Sequence, residues 1–358
     1  MRVLVAPDKF AGTLTAVEAA QAIAEGWLRH APHDELDLAP MADGGPGFVD
    51  VLHAALGGEL LTVTVTGPYG DKVPASVLRI GRTAYVEAAQ ACGLHLTRAD
   101  ERDPERATSY GVGELVQTAI DSGAATVVVG LGGSATNDGG AGLLAALGAA
   151  ADAPLDKGPL QLEALTRVDL PELDVELVAA TDVDNPLLGL IGATNVYGAQ
   201  KGLAEDRKVT VDAMLERLAT ATDKKVALAK GAGAAGGLGF ALLLLGAERR
   251  PGAALVTEAL DLPARARRAD LVLTGEGAFD FSSRSGKVPY GVAEVAQAAV
   301  RPCIALAGQV LVGSREMRAL GIESAYSVSE LVGEERSLSD PAASLAELAE
   351  RVARTWSR

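Results

Sequence analysis

The segment RVLVAPDKFAGTLTAVEAAQAIAEGWLRHAPHDELDLAPMADGG, residues 2–45, decides the fold. Residues 3–6 form a short apolar run that stops at Pro7 and Asp8, which reads as a buried strand. Thr15 and Glu18 then have the spacing of a capping box. Ala20, Ile23, Ala24, Trp27, Leu28 and Ala31 follow at helical intervals. Residues 36–39 supply a second strand, closed by Pro40 and the turn at Gly44 and Gly45. A strand, a helix and a second strand on short connections are the unit of a parallel α/β sheet.

Outward from this unit the texture changes. Residues 61–66, 73–80 and 83–88 are β-rich runs broken by Gly67–Pro68 and Gly81, with no helix between them, which predicts an antiparallel meander and the start of a different domain. Alternation then resumes. Strands are expected at 126–129, 176–180, 270–274 and 303–307, and helices at 113–121, 142–150, 206–229, 292–300 and 343–355. With no Pro/Ser-rich linker in the chain, a second domain is expected as an insertion into the first.

The chain has 358 residues, 48% of them hydrophobic and 22% charged, enough to bury a sizeable core. Its 32 Lys and Arg against 47 Asp and Glu leave a net charge of −15, which argues against nucleic acid or an anionic membrane as partner. Cys92 and Cys303 form no CxxC pair, and the N-terminal apolar run is too short for a signal peptide, so a reducing cytoplasm is expected. The most apolar stretch, 238–247, is about half the ~20 residues that span a bilayer. A homo-oligomer is compatible with the sequence.

Glycine and acids gather where strands end. GLGGSATNDGG, 130–140, places Gly132, Gly133, Ser134, Asn137 and Asp138 between a strand and a small-residue helix. Backbone N–H groups at such a turn suit phosphate, and the plainer alternative is a tight packing turn. Asp8 and Lys9, Asp43, then Asp182, Asp184 and Asn185, then Glu276 and Asp280 follow successive strands. In open parallel sheets ligands bind beyond the carboxyl ends of the strands. Several acids there suit Mg²⁺ and proton abstraction from a hydroxyl, against the alternative that each Asp merely caps a helix.

Two motifs fail. Gly231, Gly233 and Gly236 match GxGxxG with Glu258 further on, but a helix precedes them where the dinucleotide fingerprint needs a strand. Gly286–Lys287 has Phe281 and Val288 where a Walker motif needs Gly and Ser or Thr. His30, His33, His53 and His95 have no metal spacing. The residues alone thus indicate a phosphate-handling α/β enzyme without naming its substrate.

The ordered set VAPDKF (5–10), PMADGG (40–45), RDP (102–104), GVGEL (111–115), GLGGSATNDGGAG (130–142), DVDNPL (182–187), QKG (200–202), GAGAAGGLG (231–239), TGEG (274–277), GKVPYGVA (286–293) and AGQV (307–310) resembles the bacterial glycerate kinases of the two-domain type. The resemblance implies phosphorylation of D-glycerate by ATP with Mg²⁺, giving 2-phosphoglycerate or 3-phosphoglycerate. It also implies a flavodoxin-like parallel-sheet domain built from both chain ends, 1–59 plus 265–358. An inserted mixed α/β domain, 60–264, would resemble the restriction-endonuclease fold, with the active site in the cleft between the two.

On that reading the backbones of Gly132–Ser134 and of Gly233 and Gly236 hold phosphate or carboxylate, and Lys201 and Lys287 neutralise charge. Asp182 is the first choice for the base, with Asp184 and Asn185 as a metal pair. Asp8 and Lys9 join the catalytic group, and Asp43, Asn137, Asp138, Glu276 and Asp280 the binding group. The sequence departs from the family at Ala11, usually Lys, Pro46, usually Glu, Ala278, usually Arg, and Ser282–Ser283, usually Gln-Ser or Gln-Thr. Were these positions in the acceptor pocket, the departures would weaken D-glycerate binding more than turnover. The alternatives are a kinase of another small hydroxy acid, a NAD-dependent dehydrogenase using Gly231–Gly236, or a binding protein without turnover.

Overall fold

The computed structural model describes residues 1–10, 12–280 and 288–357. In chain order the principal elements begin with β1 (Arg2–Val5), α1 (Ala16–His30), β2 (Glu35–Leu38), α2 (Phe48–Leu56), β3 (Glu59–Thr66), β4 (Lys72–Ile80), β5 (Thr83–Glu87), α3 (Tyr110–Asp121) and β6 (Thr126–Gly130). There follow α4 (Ala141–Ala146), β7 (Glu176–Ala180), α5 (Ala193–Tyr197), α6 (Lys208–Ala221), α7 (Leu238–Leu244) and β8 (Glu248–Arg250). The chain then forms β9 (Leu271–Thr274), α8 (Val288–Ala298), β10 (Cys303–Ala307), β11 (Ser324–Ser327) and α9 (Pro341–Trp356). Two compact units result: Met1–Asp43, Asp50–Leu56 and Ala253–Arg358 form unit one, and Gly44–Val49 with Gly57–Gly252 form unit two.

Unit one carries a parallel sheet in the order β11-β10-β9-β1-β2. Numbered within the unit, that order is 2-1-3-4-5, the flavodoxin-like arrangement, with its switch point between β1 and β9. Thr15 does cap α1: its Oγ1 accepts from Glu18 N at 3.2 Å while Glu18 accepts from Thr15 N at 2.8 Å. The buried stripe of α1, including Ile23 and Trp27, packs with Val3, Leu273, Ile304, Leu345 and Val352. At Gly26 a Cβ would stand 1.9 Å from the Ala346 carbonyl oxygen, so only glycine lets α1 and α9 approach this closely.

Unit two carries a mixed sheet in the order β8-β7-β6-β5-β4-β3. The β3–β4–β5 meander is antiparallel, and β5, β6, β7 and β8 run parallel. Val127, Val128 and Val129 of β6 are all buried, as a central parallel strand covered on both faces requires. Segment 44–49 belongs here because it packs on unit two: Pro46 meets Gly133, and Gly44 meets the Ala180 carbonyl.

Several expected bounds move for local reasons. The long helix expected over 206–229 breaks at Thr222, and Asp223 caps a separate turn, Lys224–Ala227, by accepting from Lys225 N at 2.7 Å. The helix expected over 142–150 stops at Ala146, because Gly148 adopts a φ of +96°. Strands β8 and β11 are too short to show a period in the sequence. No helix among the described residues is long and apolar enough to cross a membrane.

Candidate active site

In unit one, acids crowd the switch point. Hydrogen bonds Asp8 N to Gly275 O (2.8 Å) and Met41 N to Pro7 O (2.9 Å) tie together the loops that follow β9, β1 and β2. Gly275 allows this, since a Cβ there would lie 2.0 Å from the Leu306 carbonyl oxygen. Lys9 Nζ stands 3.2 Å from Asp43 Oδ1 and 3.7 Å from Asp8 Oδ1, and Asp8 also accepts from Lys9 N at 2.7 Å. Asp8 and Glu276 are each only 6% exposed. Burial above all, with the negative charges of Asp43 and Glu276, pushes the Asp8 carboxyl up to about 7 against the opposing pull of Lys9. Asp280 is half-buried just beyond the two-residue strand Ala278–Phe279. Asp8, Asp43, Asp182, Asp184 and Glu276 do not stand at the residue before a helix, so the capping alternative does not explain them.

In unit two the glycine loop has an outer and an inner part. Gly133, with φ +68°, is exposed and Gly132 half-buried, and both lie against segment 44–49, where a Cβ on either would collide with Gly45 or Pro46. Among the described residues the N–H groups of Gly132, Gly133 and Ser134 find no protein acceptor, the arrangement of an anion cradle. Behind them the loop is buried. Lys201, 2% exposed, donates from Nζ to Ser134 Oγ at 3.0 Å and to the Thr136 carbonyl at 2.5 Å. Burial pulls the Lys201 ammonium down to about 8. Asn137 Nδ2 donates to Thr194 Oγ1 at 2.9 Å, while Asn137 Oδ1 is buried without a partner among the described residues.

Asp138, expected to bind substrate, holds the loop together. It is wholly buried and accepts from Ser109 N and Oγ, Gly140 N and Gly142 N, between 2.8 and 3.2 Å. Burial pushes its carboxyl up and these four donors oppose that shift. Gly233 and Gly236 are likewise packing positions: a Cβ on Gly233 would meet the Pro186 carbonyl at 2.3 Å, and one on Gly236 the Thr136 carbonyl at 1.9 Å. No strand precedes Gly231, so the dinucleotide fingerprint has no structural counterpart.

Asp182 follows Thr181 at the end of β7 and is half-buried. Beside it, Asp184 bonds to Arg249 Nη2 at 2.6 Å and to Lys230 Nζ at 3.2 Å. Asn185 donates to the Ile191 carbonyl at 2.7 Å and accepts from Tyr197 Oη at 2.8 Å. Both residues of the expected metal pair are thus engaged within unit two. Among the described residues no three His, Cys, Asp or Glu side chains make a metal cage. Lys287, Ala11, Ser282 and Ser283 lie outside the described residues. Thr194 and Ser109, which complete the inner site with Thr136 of the glycine loop, escaped the sequence reading. Only their distance partners reveal them, since Ser109 and Thr194 reach the loop across 29 and 57 residues.

Comparison with known proteins accords with this geometry. The model of the glycerate kinase family matches residues 3–357. The glycerate kinase of Bacillus subtilis (strain 168) is 40% identical, the alignment covering 92% of this chain and 90% of that one. The glycerate 2-kinase of Escherichia coli (strain K12) is 41% identical, covering 93% and 92%. A crystal structure from Salmonella typhimurium LT2, of a protein provisionally named glycerate kinase 2, superposes with a TM-score of 0.82 at 38% identity over 99% of this chain and 98% of that one. A family match over nearly the whole length, relatives at this identity and a matching fold lead to one conclusion: the chain belongs to the glycerate kinase family, and is a kinase with an alcohol acceptor.

Proposed function

We propose that this chain transfers the γ-phosphoryl group of Mg-ATP to a hydroxyl of D-glycerate, giving 2-phosphoglycerate. The relatives' names support the acceptor. The observation that carries the phosphoryl-transfer half is the crowding of Lys9, Asp43 and Glu276 around Asp8 at the switch point of unit one. Asp43 and Glu276 raise the Asp8 carboxyl by their negative charge, and a divalent cation beside them would offset it. Mg²⁺ is held by one or two carboxylates together with substrate phosphates, so a three-residue protein cage is not needed. Asp8 and Asp43, gathered with Lys9 at the switch point, would hold it there. When bound, the ion would neutralise charge on the transferring phosphoryl group.

The chain's own residues divide the remaining work. The Gly132–Ser134 N–H groups cradle an anionic group, and Lys201 supplies positive charge behind them. Asp182, at a strand end, takes the proton of the acceptor hydroxyl, and Lys287 offsets phosphate charge. Small anionic substrates and two buried, unpaired cysteines suit a reducing cytoplasm. The test is to incubate the protein with ATP, Mg²⁺ and a panel of hydroxy acids and to follow ADP. Turnover confined to another acid would replace D-glycerate as the substrate, and NADH formation would overturn the reading altogether.

A further inference from the structure

A slot of about 230 Å³ opens at the carboxyl edge of the unit-one sheet, one step from the acid cluster. Its floor is two glycine rows, Gly277 and Gly308, where a Cβ on Gly308 would lie 2.4 Å from the Gly277 carbonyl. Its walls are the buried side chains of Phe10, Val328 and Leu345, and Leu338, 62% exposed, stands at the mouth. The volume is below the roughly 300–1,000 Å³ of pockets for drug-sized ligands, so the slot takes one flat ring system and little else.

Three polar side chains in the slot, Gln309, Glu334 and Ser337, make no hydrogen bond to any described residue, and of these Gln309 alone carries an amide. Gln309 is half-buried, its backbone N donates to the Gly277 carbonyl at 2.9 Å, and its side-chain amide makes no hydrogen bond to any described residue. A Gln amide offers a donor and an acceptor side by side, the complement of the amino group and ring nitrogen on an adenine edge. Phe10, Val328 and Leu345 cover the faces of a nucleobase, Gln309 bonds its edge, and Thr13, Ser329, Glu334 and Ser337 make up the polar part of the lining.

We propose that this slot is the subsite for the adenine ring of the nucleotide, with Gln309 reading its edge. The inference rests on the kinase reading above and adds where the base sits. Phe10 lies two residues beyond Asp8, and Gly277 directly follows Glu276. A ribose and phosphates leaving the mouth along either connection reach Lys9 and the acids within about 7 Å of chain.

The test uses full-length Ala278→Leu, which fills the slot, and Gln309→Ala, which removes the reader. Both should raise KM for ATP by about tenfold or more, while KM for D-glycerate and kcat at saturating ATP change less than about threefold. Calorimetric titration with ADP alone, without any acceptor, should show the same loss of affinity. Matched melting temperatures confirm folding, and should Ala278→Leu fail to fold, Gln309→Ala decides. If a folded variant keeps wild-type KM for ATP and wild-type ADP affinity, the base lies elsewhere and the proposal is wrong, although the kinase reading stands. If the wild type phosphorylates no hydroxy acid, the kinase reading fails, and the ADP titrations still decide the slot.

Discussion

The Lys201 ammonium is held 2.5 Å from the carbonyl oxygen of Thr136, wholly inside unit two. Its other bond goes to a hydroxyl, and among the described residues it forms no ion pair. A buried cation with only neutral acceptors is costly to the fold. Keeping one behind an N–H cradle makes sense if an anion arrives there during the reaction.

Lys201→Met should therefore cut turnover by about 10²-fold or more while leaving the melting temperature unchanged or higher. The pH dependence follows from a folded pKa near 8, below the ordinary lysine value. Between about 8 and 10.4 the unfolded chain binds the proton and the folded chain does not, so this residue's contribution to stability rises with pH across that window. Activity should fall over the same interval as the charge is lost. A wild-type alkaline limb in the Met variant would count against Lys201 as its source.

Asp138→Asn should act on stability. The substitution brings an amide N–H₂ into a site already filled by four donors, at a cost of about 3–5 kcal/mol. A lower melting temperature with near-normal kcat in the folded fraction is expected. A stable variant without turnover would return Asp138 to the binding group.

The crowding at Asp8 ties Mg²⁺ to pH. With its folded pKa raised to about 7 from an ordinary value near 3.9, the contribution of Asp8 to stability is fully present below about pH 3.9 and is lost as pH rises through 7 in metal-free protein. Mg²⁺ relieves the repulsion, so its stabilising effect in a thermal melt should be larger at pH 8 than at pH 5.5. Asp8→Asn should raise the metal-free melting temperature at pH 8 and abolish most of the Mg²⁺ gain. Equal Mg²⁺ gains at both pH values would remove the ion from these acids.

Two loops compete for the metal and one acid for the base. Asp182→Asn should lower kcat by about 10²-fold or more, the usual scale for a general base. Asp43→Asn should raise the Mg²⁺ concentration needed for half-maximal rate. Asp184→Asn should leave it unmoved, because Asp184 already bonds Arg249 and Lys230. The reverse pattern between Asp43 and Asp184 would move the ion to unit two.

What could be read from residues alone followed the range of the interactions. The Thr15–Glu18 cap, the β3–β4–β5 meander and strands such as Glu176–Ala180 rest on neighbours in the chain, and the structure has them. The helix over 206–229 was overestimated, because the break at Thr222–Asp223 interrupts a continuous helical pattern. At the site, spacing located the loops but not the tasks within them. Spacing does not reveal that Asp138 also holds Ser109 or that Gly236 packs on the Thr136 carbonyl. The departures separate in the same way: Pro46 lies on Gly133 in unit two, and Ala278 lines the slot in unit one.

The most direct test is the ³¹P NMR spectrum of D-glycerate incubated with Mg-ATP and this protein. The γ-phosphate signal of ATP should disappear as the monoester signal of 2-phosphoglycerate grows in step with ADP, and omission of Mg²⁺ should stop both. An unchanged ATP spectrum, or ADP accompanied only by inorganic phosphate, would contradict phosphoryl transfer to D-glycerate.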